Sequence, residues 1–208
     1  MKEYNIFSAF IIPIIAVIAL LAVQALCDLE LPSYTADIIN NGIGRGGINT
    51  SVPEVLTLDM FNAILKISDE DIGILASYDL INKDNLSNQD LEKFSEKYPL
   101  LESENLYLLN DLNEEEKSLL EERIKIPLII TTMLYTNNEN IATSLNLTIP
   151  EGSNLLDVVL AMDDDTFTLV IDSIKTTLNN LDPQIIDQYA ISSVSTIYNE
   201  IGINMDDY

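Results

Sequence analysis

Apolar and polar positions are distributed very unevenly along this chain. No charged side chain occurs from residue 4 to residue 27, and Ile6 to Cys27 reads IFSAFIIPIIAVIALLAVQALC. As a helix these 22 residues rise about 33 Å, against a hydrocarbon core of about 30 Å. The pattern predicts a transmembrane helix, with Pro13 absorbed by a kink or by neighbouring helices and Gln24 near one interface. The competing reading is a cleaved leader, with Val23-Gln24-Ala25 offering a cleavage step after Ala25. Against it, the apolar run is long for a leader, and the basic flank is only Lys2 beside Glu3. Charge does not decide the orientation, because Lys2 flanks one end and Arg45 the other.

Past the apolar run the period changes. Pro32 and the glycines at 42, 44, 46 and 47 punctuate residues 28–49. Tyr34–Ile43 is amphipathic and reads as a helix continuing past Pro32, with Gly42 and Gly44 as stop signals. Beyond residue 50 helical spacing dominates. Pro53–Lys66 carries a stripe of Val55, Leu58, Phe61, Ile64 and Leu65. Ser68-Asp69-Glu70-Asp71 resembles a capping box for a short helix through Ala76. Asn88–Tyr98 places Leu91, Phe94 and Tyr98 on one face, and Glu104–Leu109 fits either a strand or an extended arm. Asn113 caps a long helix with Glu114, Glu115 and Glu116 in its first turn. That helix continues into Ile126–Tyr135, with Pro127 as a kink or break. Ser153–Met162, Thr166–Leu181 and Pro183–Ile201 predict three more helices, with Pro183 in a first turn and Gly202 as a stop.

Composition changes this picture in one respect. The 208 residues hold 34 acids and 10 bases, a net charge of −24. Residues 50–208 carry 30 of the acids and 8 of the bases, a net −22. At 47% apolar residues the chain has material for a core, unlike an acidic disordered tail. Its surface repels nucleic acid and anionic headgroups, both of which are bound through Lys and Arg. There is no His, so imidazole catalysis and His-ligated metals are excluded. The single Cys27 excludes an internal disulfide and Cys-based clusters. No GxxxxGK[ST] segment occurs. The chain is thus not expected to be catalytic alone, and no cofactor or metal ligand set is predicted within it.

The remaining candidates are weak. Asp163-Asp164-Asp165 with Asp157 and Glu151 could gather calcium, but the run lacks the spacing of a calcium loop and reads better as a solvated turn. Glu114–Glu116 and Glu121-Glu122 are acid pairs on a face that reads as wet rather than catalytic. Thr131, Thr132 and Tyr135 have no base in sight for nucleophilic work. Asn49-Thr50-Ser51, Asn85-Leu86-Ser87 and Asn146-Leu147-Thr148 match the glycosylation sequon.

One stretch carries a resemblance. Leu20–Ile43, LLAVQALCDLELPSYTADIINNGI, is similar to the first transmembrane helix of ABC exporter half-transporters of the multidrug type. The matching positions are Asp28, Leu31, Pro32, Ala36, Asp37, Ile38, Asn40, Asn41, Gly42 and Ile43. Ser68–Asp79, Leu91–Pro99 and Leu106–Asn110 resemble parts of a long insertion between the first two spans of some such subunits, and Ile201–Tyr208 resembles the approach to the second. The resemblance implies ATP-driven export by two half-transporters, a heterodimer, of an unspecified drug, lipid or peptide. It implies ATP and magnesium in a nucleotide-binding domain that this sequence lacks. It places residues 1–5 on the cytoplasmic side of the plasma membrane and the insertion outside, with the bilayer as a partner and no nucleic acid. Asp28, Leu31, Pro32, Asp37, Ile38, Asn40, Asn41 and Gly42 would then shape the exit from the first span or line a pathway.

The expectation is a mostly α chain. Residues 1–49 form a transmembrane helix with its extension, and residues 50–208 an acidic, mainly helical extracytoplasmic domain. Its expected function is that of a permease fragment of an ABC transporter. The alternative is a membrane-anchored or secreted acidic helical binding protein.

Overall fold

The computed structural model describes residues 48, 50–136, 139–144, 147–150 and 152–203. The chain divides into two units, Met1–Gly44 and Arg45–Tyr208, and the described residues belong to the second. In order they form β1 (Val55–Thr57), α1 (Leu58–Ile67), α2 (Ile72–Ala76), β2 (Tyr78–Ile81), α3 (Asn88–Lys97), a 3-10 turn (Pro99–Glu102), β3 (Leu106–Leu109), α4 (Glu114–Tyr135), α5 (Glu139–Ser144), α6 (Leu155–Leu160), α7 (Asp164–Asn179) and α8 (Pro183–Ile201).

Local chemistry explains most helix boundaries. Asn113 opens α4 with a full capping box: its side chain accepts from Glu115 and Glu116 N–H at 3.0 Å, and Glu116 accepts from the Asn113 N–H at 2.9 Å. Asn154, Asp163 and Asp182 cap α6, α7 and α8 in the same way, by accepting first-turn N–H groups. Gly202 ends α8 at φ 80°, a left-handed conformation that costs glycine nothing. Pro127 lies inside α4 without breaking it. It has no N–H for the carbonyl of Arg123, so one rung of the helix is missing there.

Helix α4 runs through the middle of the fold. Its first half is wet apart from Leu120 and Ile124, whereas Pro127–Thr132 is buried all round. That is the pattern of a helix leaving a surface and entering an interior. Helices α1, α4 and α8 each supply two cores. On one side Phe61, Ile64, Leu128, Val194 and Ile197 pack with Leu56, Tyr98 and Leu106 around the sheet. On the other, Ala63, Ile67, Ile129, Ile130, Leu134 and Ala190 pack with Leu155, Val159, Phe167 and Ile171 of α6 and α7. The sheet is antiparallel in the order β1-β3-β2, with Leu56 opposite Tyr107 and Leu80 opposite Tyr107 on the other side.

Several expectations are corrected. Val55 is not helical: β1 comes first, and Thr57 caps α1 by accepting from Met60 N–H at 3.2 Å. Ser68 closes α1, Asp69 and Glu70 turn the chain at φ 62° and 57°, and Asp71 alone caps α2. Glu104–Leu109 resolves as strand β3 over Leu106–Leu109, while β2 and α5 were not anticipated.

The membrane expectation is corrected too. Among the described residues no helix is long and apolar enough to cross a membrane. The two longest, α4 and α8, have polar and charged positions along most of their length. The predicted span, Ile6–Cys27, lies outside the described residues. The described structure is therefore a mainly helical domain with a small antiparallel sheet, and the transmembrane, permease and membrane-localised readings find no support in it.

Candidate functional site

The expected motif residues Asp28, Leu31, Pro32, Asp37, Ile38, Asn40, Asn41 and Gly42 all lie outside the described residues. Among the described residues, a groove with convergent polar groups lies beside the sheet, with a volume of about 790 Å³. Four segments build it: the chain entering β1, the end of β3 with the loop to α4, the first turns of α4, and Tyr198 of α8.

The entry to β1 is fixed by long-range hydrogen bonds. The Glu54 N–H donates to Tyr198 Oη of α8 at 2.9 Å, and the Glu54 carbonyl accepts from Leu109 N–H at 2.8 Å. Tyr78 Oη donates to the Pro53 carbonyl at 2.8 Å. Tyr78 is buried, and burial together with the nearby Tyr198 raises its phenol well above 10.0. It therefore stays a donor throughout the neutral range. Asn110 fixes the other side, its N–H donating to the Ser77 carbonyl at 2.9 Å and its amide to the Ala76 carbonyl at 3.1 Å.

The groove has an apolar wall and a charged rim. Ile48, Val52 and Tyr198 are buried, and Leu109 and Leu112 are half-buried. Glu54, Asp111, Glu114 and Glu121 bring four carboxylates to the lining, against the one ammonium of Lys117. Glu54 is held by Lys97 at 2.6 Å, and Glu121 by the buried Ser51 hydroxyl at 2.6 Å. Lys117 reaches Glu114 only at 3.9 Å, with the Glu114 side chain almost fully exposed. A concave site with an apolar wall and a few fixed polar groups is the general form of a ligand-binding surface.

The other candidates resolve into structural roles. Asp163 accepts from the N–H and hydroxyl of Thr166 at 3.1 and 2.8 Å, and these bonds hold its carboxyl below 3.8. Asp157 completes the cap of α6. Glu151 lies outside the described residues, and among those described no group of three or more acids or cysteines is placed to hold a metal. Thr132 donates to the Leu128 carbonyl and is bonded to Ser193 at 2.6 Å, inside the α4–α8 packing. The Thr131 hydroxyl is buried with no hydrogen-bond partner among the described residues. Tyr135 donates to Glu200 at 2.5 Å. Partial burial, that bond, and the charges of Glu200, Glu104 and Asp157 push its phenol up to about 12. Asn85 of the central sequon is engaged, its amide donating to the Leu80 carbonyl at 2.7 Å. Asn49 and Asn146 lie outside the described residues.

No family model, curated protein or solved structure matches the chain. The site therefore stands on its own geometry. Of its acids, Glu114 and Glu121 were singled out from sequence, but as a wet face. Glu54, Asp111, Lys117 and Tyr198 were not. Only the cap at Asn113 marks the start of α4 in the sequence, and nothing local signals that its first turns face residue 54.

Proposed function

We propose that the described domain is an acidic binding domain with no chemistry of its own, and that its ligand occupies the groove beside the sheet. The observation that carries this reading is the conjunction of a buried apolar wall with four carboxylates on three converging segments. The test is a screen of small neutral and charged fragments against the full 208-residue chain by methyl NMR. Shifts clustering at Val52, Leu109 and Leu112 are expected. Shifts that never gather there overturn the reading.

A second reading is that the domain belongs to an ATP-driven exporter of the ABC type. It is supported by where the resembling segments fall. Ser68–Asp79 contains α2 and enters β2, Leu91–Pro99 contains most of α3, and Leu106–Asn110 contains β3. All three contribute to the sheet-side core, through Ile74, Tyr78, Tyr98 and Leu106. Sequencing the DNA beyond the Tyr208 codon tests it. A frame continuing into a GxxxxGK[ST] motif is expected, and an immediate stop codon with no such motif following overturns it.

A further inference from the structure

We draw no further inference here: the strongest candidate, the uncharged outward face of α8 that Ile185, Gln188, Tyr189, Ser192 and Thr196 form beside the hydroxyl-lined seam with α4, is a surface patch, and nothing in the structure shows what covers it.

Discussion

The two cores share three helices and are held in different ways. The sheet side is tied by bonds between residues far apart in sequence: Glu54 to Tyr198, Ser51 to Glu121, Tyr78 to Pro53, Lys97 to Glu54, and Arg123 to Asp71 at 2.8 Å. The side built on α6 and α7 relies on capped helices and apolar packing. Its main long-range polar tie is Lys66, which donates to the Leu160 carbonyl at 2.9 Å and lies 4.5 Å over the Phe167 ring. Packing alone suffices to place helices. Two of the groove's four carboxylates, Glu54 and Glu121, are held by directional bonds, and the groove lies on the side that has them.

The largest expected effect tests this contrast through the cores. Phe61 is fully buried, with its ring stacked 3.8 Å from that of Tyr107. Phe61→Ala is expected to cost about 3–5 kcal/mol in denaturant unfolding. Phe167→Ala, at a residue 7% exposed on the helical side, should cost less. The reverse order would break the comparison.

Next come the ties. Tyr198→Phe leaves the Glu54 N–H without its acceptor and is expected to cost about 1–3 kcal/mol. Removing the cap of α6 with Asn154→Ala should cost about 1 kcal/mol. If fragment binding to the groove is unchanged in Tyr198→Phe, the ties do not shape it.

The same contrast reaches into pH dependence. Tyr78 ionises far less readily folded than unfolded, so its contribution is complete below about pH 10. It is lost as pH rises through the higher folded value. An alkaline loss of stability beginning near pH 10 is therefore expected, and it should shrink in Tyr78→Phe. At the acid end, burial raises Asp71. The N–H groups of Ile74 and Gly73 and the Arg123 guanidinium outweigh it and bring the net value below 3.8. Its contribution is present above about pH 4 and fades as pH falls through the lowered value. Asp71→Asn should flatten the acid limb of a stability–pH curve.

The smallest effect belongs to the partly exposed pair Lys125–Asp187, 2.7 Å apart between α4 and α8. Asp187→Asn should change stability by no more than about 1 kcal/mol. A larger loss would show that surface charges, rather than ties and packing, join these helices.

Legibility in the sequence follows the same divide. Helices α4 and α8 could be read because each has an unambiguous start, Asn113 or Pro183, and α8 also has the stop at Gly202. Strands β1 and β2 could not. Val55–Thr57 is three residues long and buried throughout, so it shows no alternation. Tyr78–Ile81 is buried at both ends and exposed between, which no two-residue period predicts. Pro127 does not end the helix, and burial on every side accompanies the continuity of α4 through it. Half of the groove's acids were visible as a helix face. The other half depend on β3 placing Asp111 near Glu54, a consequence of pairing between distant strands.

The bond from Glu54 to Tyr198 links residues 144 positions apart. A ribosome adds roughly 5–20 residues per second, so the acceptor emerges roughly 7–30 s after its donor. Throughout that interval the entry to β1 lacks this tie, and the wall of the groove lacks the Tyr198 ring. The wall of the groove is thus among the last parts of this domain to be completed, and newly made chains carry its acids before they carry the ring that helps to enclose them.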